Sequence, residues 1–232
     1  MDSAKAQLNR LSIPFERFEA VDGRALDHVT MAKLYDSEVN KRSFRHPLVP
    51  GEIGVYLSNR ALWSQISKSD LPGAILLEDD FAADDTLPEV IEALSADMDC
   101  WDIVKLYSRK PGRKMISERP LDEGHSLAVP WQVPNSMSGY AIRREAAAIL
   151  LARQESICRP VDEDLRRIWE HRLDIRLVRP PPLSQGTESK AANSIEVARK
   201  SVHDRSLGQG WRNLKYRLSY LIRLYLYRRF GI

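Results

Sequence analysis

The chain has 232 residues, of which 43% are hydrophobic and 29% charged, with a formal net charge of +3 at pH 7. This suits one α/β domain, or one domain with an appended tail, and the small charge gives no support to a nucleic-acid partner. No stretch reaches the ~20 apolar residues of a membrane span, the N-terminus lacks a signal-peptide core, and Cys100 and Cys158 match no metal or redox spacing. We therefore expect a cytoplasmic protein with reduced thiols.

In chain order, the patterning predicts helices that alternate with short strands. A helix ends before Pro14, an extended segment ends at the Asp22-Gly23 turn, and Pro50 begins a helix with an apolar stripe. Further helices are expected at 87–98, from Arg144 onward, and at 162–171. Strands are expected in AILL (74–77), CWDIVKLY (100–107), SLAVPWQV (126–133), SGYAI (138–142) and IRLVRPPP (175–182).

Three polar segments separate these elements. Residues 27–47 are predicted to form short helices or a mobile loop, 109–124 a basic loop, and 184–210 a long polar segment. Strands alternating with helices indicate an α/β fold with a mainly parallel sheet flanked by helices. In such a sheet, ligands bind at the carboxyl ends of the strands.

Three consecutive carboxylates, Glu78, Asp79 and Asp80, follow the predicted buried strand in GAILLEDDF (73–81). Burying even one of them unpaired is costly, so a metal ion, an Arg or Lys partner, or water is needed beside them. In an extended backbone Glu78 and Asp80 share one side, which suits Mg²⁺ or Mn²⁺ bridging carboxylates to phosphates.

A second acidic group lies in PVDEDL (160–165), where a helix is predicted to start. Two interpretations stay open: Asp162 is a helix N-cap, or Asp162 or Asp164 is a general base that removes a proton from an attacking hydroxyl. Gly139-Tyr140 is either a close approach of backbone to ligand or a turn before a strand. The five histidines have no ligand spacing, so no zinc site is predicted.

The C-terminal segment 211–232 carries basic residues, no acidic residue, and apolar residues that share one helical face (Leu214, Leu218, Leu221, Ile222, Tyr225). A basic amphipathic helix is typical of an interfacial membrane binder. The alternative is a terminal helix docked on the domain with its arginines in water. We therefore predict a domain over residues 1–200 and a basic amphipathic helix over 201–232.

Read together, these motifs resemble glycosyltransferase family 25, the bacterial lipopolysaccharide or lipooligosaccharide glycosyltransferases related to collagen galactosyltransferases. The similar stretches, in order, are IPFERFEAVDGRAL, LVPGEIGVYLSNRALW, AILLEDDF, WDIVKLY, SGYAIRREAAAILL, RPVDEDL and RPPPLSQGTES. The resemblance implies a GT-A-like fold and inverting transfer of a hexose, typically galactose, from a UDP-sugar.

The resemblance also implies roles for individual residues. Asp80 would be the first metal ligand, with Glu78, for Mn²⁺ or Mg²⁺. Asp162 would be the general base, with Asp164 as second choice. The expected donor-binding residues are Glu78, Asp79, Ser138, Gly139, Tyr140 and Gln185.

Two departures from the family pattern are visible. Family members begin with a hydrophobic strand and an Arg-rich turn that the given sequence does not contain, so the predicted fold lacks the family's first strand. The family's Ser-His pair reads Ser58-Asn59, and Asn has no titrating imidazole.

The leading hypothesis is a metal-dependent hexosyltransferase of lipopolysaccharide biosynthesis. Its partners would be a UDP-sugar, a saccharide or lipid-linked glycan acceptor, and a membrane surface met by residues 211–232. It would be cytoplasmic and peripheral on the inner face of the membrane. The alternative is an N-terminally truncated, non-catalytic family member that acts as a binding or assembly partner.

Overall fold

The computed structural model describes residues 2–110, 112–153, 156–186 and 207–231, which form a mixed α/β fold. Two 3₁₀ turns cover Gly23–Ala25 and Met98–Cys100. The helices are α1 (Asp2–Arg10), α2 (His28–Leu34), α3 (Ser37–Ser43), α4 (Pro50–Lys68), α5 (Leu87–Ala96), α6 (Arg144–Ala152), α7 (Val161–Leu165), α8 (Ile168–His171) and α9 (Leu207–Phe230). The strands are β1 (Gly73–Leu77), β2 (Phe81–Ala83), β3 (Ile103–Lys105), β4 (Met115–Pro120), β5 (Ser126–Pro130), β6 (Gly139–Arg143), β7 (Ile175–Arg179) and β8 (Leu183–Gln185).

The main sheet has six strands in the order β1-β6-β3-β7-β5-β4, and β2 pairs with β8 in a separate two-stranded sheet. Among the main-sheet pairings of the described chain, only β3–β7 is parallel. The predicted mainly parallel sheet is therefore wrong. Strands β1, β3 and β7 do run in one direction, but β6 lies antiparallel between β1 and β3, and β5 antiparallel beside β7.

Three local predictions are also corrected. The basic loop predicted at 109–124 contains β4, an exposed edge strand that pairs with β5. The strand β1 lies at the other edge of the sheet and is half-buried, not fully buried. The helix predicted at 162–171 is divided into α7 and α8.

Other predicted elements are confirmed where their local signals are strong. Pro50 begins α4, and the Glu52 carboxylate accepts a 2.9 Å bond from the Val49 amide, which is one half of a capping box. Asp27 and Asp36 cap the short helices α2 and α3 within the segment predicted as short helices or loop. The predicted domain boundary at 200/201 and most of the polar segment 184–210 lie outside the described residues.

The main sheet separates two hydrophobic clusters. On one face, Tyr140 and Ile142 of β6 join a cluster that includes residues of α4, α6 and α9. On the other face, Ala141 joins a cluster with residues of α1 and α5. This alternation follows from the two-residue period of a strand.

One end of the sheet gathers the segments predicted to carry the site. The carboxyl ends of β1 and β3 and the amino end of β6 meet there, because β6 pairs with both strands in the antiparallel sense. The chain passes from β1 through residues 78–80 into β2, whose partner β8 carries Gln185 opposite Phe81. The topology therefore places these segments side by side.

Candidate functional site

The carboxylates of the first acidic motif lie in a turn between β1 and β2 rather than on an extended strand. The Glu78 amide donates to the Ser138 carbonyl (3.1 Å), which continues the β1–β6 pairing by one residue. The Asp80 carbonyl accepts from the Gly186 amide (2.8 Å). Glu78 and Asp80 are half-buried and Asp79 is exposed. The turn therefore directs Glu78 and Asp80 toward the protein.

A buried lysine, Lys105, lies at the carboxyl end of β3 beside this motif. Its side chain is enclosed by the fold: the residue is 1% exposed, Nζ donates to the Ser136 carbonyl (2.7 Å), and Nζ lies 5.1 Å from the centre of the Tyr140 ring. No role is predicted for Lys105 from the sequence pattern. Its signal was a lysine inside the apolar strand WDIVKLY, which a buried strand tolerates only when the charge has partners.

The charges of this cluster are coupled. Burial raises the pKa of Glu78 to about 7, helped by the nearby carboxylates of Asp80 and Asp162 and opposed by a hydrogen bond from Ser138 and the charge of Lys105. Burial lowers the pKa of Lys105 to about 8, while Asp162 and Glu78 oppose that shift. A metal ion, an Arg or Lys partner, or water was expected beside the acidic motif. The structure places a lysine, Lys105, there.

The two candidate bases of α7 have different surroundings. Asp162 interacts electrostatically with Glu78 and Lys105, and its carboxylate accepts from the Glu163 amide (2.9 Å). Asp164 accepts from the Tyr56 hydroxyl (2.7 Å) and from Arg159 Nε (2.5 Å).

Burial raises the pKa of Asp164, and the ion pair with Arg159 opposes the shift. Arg159 also binds Glu170 (2.7 Å), so Asp164 belongs to an ion-pair network between α4, α7 and α8. The fold brings Asp162 close to Glu78 and Lys105. The carboxylate of Asp164 is instead held by the hydrogen bond from Tyr56 and the ion pair with Arg159.

The segment before β6 joins the acidic motif to Lys105. Ser136 and Ser138 are linked through their hydroxyls (2.9 Å), and Ser138 also bonds to Glu78. An added Cβ at Gly139 would lie 2.2 Å from Leu183 Cδ1, so a side chain there would have to displace this leucine. The glycine therefore permits close packing of β6 against β8.

The Tyr140 hydroxyl is engaged in the protein interior. It donates to Asn59 Oδ1 (2.7 Å) and accepts from Trp63 Nε1 (2.9 Å), and the residue is buried. Asn59 also donates to the Val55 carbonyl (2.8 Å). These two residues connect α4 to β6 beneath the site.

Gln185 lies next to the acidic motif by strand pairing. It is opposite Phe81 in the β2–β8 pair, and the following Gly186 bonds to the Asp80 carbonyl. An added Cβ at Gly186 would lie 2.7 Å from that carbonyl oxygen, so a glycine allows this close approach.

The described residues contain no group of three His, Cys, Asp or Glu side chains placed to hold a metal ion. Beside burial, the nearby carboxylates of Asp80 and Asp162 help to raise the pKa of Glu78. A protein often supplies only one or two carboxylate ligands to Mg²⁺ or Mn²⁺, and substrate phosphates and water supply the other ligands. Glu78 and Asp80 could be those two carboxylates.

Comparison with known proteins links these residues to a family. The family described as glycosyltransferase family 25 (LPS biosynthesis protein) matches residues 2–165, which include every site segment except that of Gln185. Procollagen galactosyltransferase 1-B of Xenopus laevis is 28% identical over 186 residues, 72% of this chain. A glycosyltransferase 25 family member of Anopheles gambiae is 28% identical over 173 residues, 69% of this chain.

A third relative, from Bos taurus, is described as probable inactive glycosyltransferase 25 family member 3. It is 28% identical over 163 residues, which cover 63% of this chain and 26% of the relative. The matched region covers 28% of the Xenopus and Anopheles proteins. The chain therefore corresponds to little more than a quarter of the length of these relatives.

Proposed function

The chain belongs to glycosyltransferase family 25, and on that premise we propose that it is an inverting glycosyltransferase that moves a hexose from a UDP-sugar to a saccharide hydroxyl. The observation that supports this most is the convergence of Asp80, Asp162 and the buried Lys105 on Glu78 at one end of the sheet. Carboxylates for proton transfer and for cation binding then lie in one place. Family membership supplies the class of reaction.

Asp162 is the general base of the proposed reaction. It takes the proton from the acceptor hydroxyl while that oxygen bonds to the anomeric carbon and the bond from that carbon to the diphosphate oxygen breaks. Attack from the face opposite the UDP leaving group inverts the anomeric configuration. Asp164 is the weaker candidate because Arg159 and Tyr56 already bind its carboxylate.

Asp80 and Glu78 would hold a divalent Mn²⁺ or Mg²⁺ ion. When bound, such an ion neutralises charge on the departing diphosphate. The donor would lie along the turn at 78–80, Ser138 and Gln185, with Gly139 and Tyr140 supporting this surface from below through packing. Asp79 would contact the donor from the exposed side of the turn.

The proposal extends to galactose as the sugar and to a lipid-linked lipopolysaccharide glycan as the acceptor, at the inner face of a membrane. Two of the relatives are described as procollagen galactosyltransferases, and the family description names lipopolysaccharide biosynthesis. These descriptions support the extension.

The test measures the melting temperature of the chain with UDP-galactose and UDP-glucose, each with and without Mn²⁺, followed by transfer to a saccharide acceptor. Ligand that binds the native state stabilises it by about 2.7 kcal/mol at a hundredfold excess over Kd. We expect a Mn²⁺-dependent shift with UDP-galactose, and Asp80→Ala should remove the metal-dependent part. No shift with either nucleotide sugar in a folded sample would contradict the proposal.

The base is tested by comparing Asp162→Asn with Asp164→Asn. Asp162→Asn should keep the donor-induced shift and lower the transfer rate by about 10²–10⁴-fold. Asp164→Asn should chiefly lower the melting temperature, because it breaks the pair with Arg159. If Asp162→Asn transfers normally and Asp164→Asn folds but does not, Asp164 is the base.

A non-catalytic scaffold is the second candidate function. It is favoured by Asn59, which holds Tyr140 in place of an imidazole, and by the bovine relative described as probable inactive. A chain that binds UDP-sugar but shows no turnover with any acceptor would support this candidate.

A further inference from the structure

The C-terminal helix α9 packs on the domain through one face. Tyr220 and Leu224 are buried in the main hydrophobic cluster, and the Tyr216 hydroxyl donates to the Glu163 carboxylate (2.5 Å). Near the end of the helix, Arg228 Nη2 donates to the Pro130 carbonyl (2.7 Å). These contacts are spaced along the helix, so they fix its rotation about its own axis.

The face opposite these contacts is apolar and exposed. Trp211 is 69% exposed and Ile222 58%. Its members span residues 211–225 at spacings of mostly three or four residues, with Leu221 and Ile222 adjacent, so they form one stripe about 21 Å long. We call it the outer stripe: Trp211, Leu214, Leu218, Leu221, Ile222 and Tyr225. An exposed apolar patch that extends over several turns marks an interaction surface.

The charge around the outer stripe has one sign. Residues 207–231 contain no Asp or Glu. The basic residues of this helix are Arg212, Lys215, Arg217, Arg223, Arg228 and Arg229. By helical geometry Lys215 lies along one border of the stripe and Arg217 along the other. A second copy of the helix would bring like charges together, so self-association through this face is opposed electrostatically.

We infer that the outer stripe of α9 binds an anionic lipid surface. An apolar face inserts into the boundary between headgroups and acyl chains, bordering cations meet lipid phosphates, and Trp favours this interfacial depth. No helix of the described chain is long and apolar enough to cross a bilayer. The inference extends the proposed function by naming the surface that would meet a membrane-bound acceptor.

The docking face also connects the helix to the site. Tyr216 binds Glu163, the residue after Asp162, and Arg166 holds the same carboxylate (3.0 Å). A lipid surface bound to α9 would therefore lie at a fixed orientation to α7. This arrangement suits an enzyme whose acceptor is held at that surface.

The experiment is sedimentation of the full chain with vesicles, without donor or metal. Vesicles of phosphatidylcholine mixed with phosphatidylglycerol are compared with vesicles of phosphatidylcholine alone, at low and high salt. We expect binding to the mixed vesicles that weakens with salt. The double variant Leu218→Asp, Ile222→Asp should bind at least tenfold more weakly, and Lys215→Glu about fivefold more weakly.

The matched control is Ile116→Asp, Ile149→Asp, which makes the same chemical change at exposed apolar residues of β4 and α6. It should bind as the parent does, and circular dichroism melting checks that both double variants fold. Lack of binding by the parent chain, or equal binding by the outer-stripe variant, would overturn the inference. A dimer that the outer-stripe variant abolishes, without vesicle binding, would assign the stripe to self-association. Because no donor is present, each result is separate from the test of transfer.

Discussion

At the scale of single residues, Glu78 shows how the fold changes the chemistry of one carboxyl. Burial and two neighbouring carboxylates raise its pKa to about 7. The folded state therefore binds a proton that the unfolded state has released between pH 4.5 and 7. The contribution of Glu78 to stability is fully present below pH 4.5 and is lost as the pH rises through 7.

We predict that Glu78→Gln stabilises the metal-free chain at pH 8, because a neutral amide avoids burying this charge. The free energy of unfolding should rise by about 1 to 3 kcal/mol, and the difference from the parent should shrink as the pH falls to 5. Urea denaturation at both pH values with a chelator present measures it. Asp79→Asn, at the exposed neighbour, is the control and should show no such pH-dependent gain.

The stability of the Glu78→Gln variant must be compared with that of the parent at each pH, because His171 also makes stability depend on pH. Burial lowers the pKa of His171 to about 4. Its contribution to stability is therefore lost as the pH falls from about 6.5 toward 4, opposite in sign to that of Glu78. Because His171 is unchanged in both proteins, the difference between them isolates Glu78.

At the scale of elements, the 3₁₀ turn at Gly23–Ala25 fits against helix α4 through two glycines. An added Cβ at Gly54 would lie 2.5 Å from the Val21 carbonyl oxygen and 2.7 Å from the Gly23 amide nitrogen. The backbone of the turn therefore lies directly on the backbone of the helix. This contact orients the segment before α4 that carries the Asp22-Gly23 turn.

We predict that Gly54→Ala destabilises the chain by about 1 to 3 kcal/mol through this overlap. An exposed helical Gly→Ala change would instead stabilise by up to about 1 kcal/mol, so the sign of the effect is informative. Thermal or urea denaturation measures it. Gly112→Ala is the control, since an added Cβ there meets nothing within 4 Å; equal effects of the two changes would contradict the packing explanation.

At the scale of the whole molecule, α9 joins the domain through buried aromatic and aliphatic side chains. Leu224 is 1% exposed, whereas Leu221, three residues earlier, lies on the outer stripe. Trp169 of α8 packs against Tyr220 with ring centres 5.4 Å apart. The sequence interpretation of a docked helix is thus confirmed for one face, and membrane binding by the exposed face stays a prediction.

We predict that Leu224→Ala lowers the free energy of unfolding by about 2 to 5 kcal/mol, the cost of a cavity in a packed core. Leu221→Ala should change it by less than about 0.5 kcal/mol because that side chain is exposed. The two substitutions share residue type and helix, so helix propensity cancels between them. Similar effects in a denaturation experiment would show that α9 does not dock as described.

Sequence alone determined the features that depend on local chemistry. Pro50 marked the start of α4 and the ordered motifs identified the family, whereas the segment of α2 and α3 was predicted only as short helices or a mobile loop. The position of Glu78 directly after a strand also followed from pattern. Such features depend on residues that are close together in the sequence, so they can be predicted from the sequence alone.

The tertiary structure decided whatever depends on partners distant in sequence. Strand direction was one case, since alternating strands and helices do not reveal that β6 lies antiparallel between β1 and β3. The cation beside Glu78 was another, because Lys105 is 27 positions away in the chain and only the pairing of β3 with β6 brings it there. The different surroundings of Asp162 and Asp164 depend on Arg159, Tyr56 and Lys105. Burial and the interactions between charges depend on the assembled fold, so these features could not be predicted from the sequence.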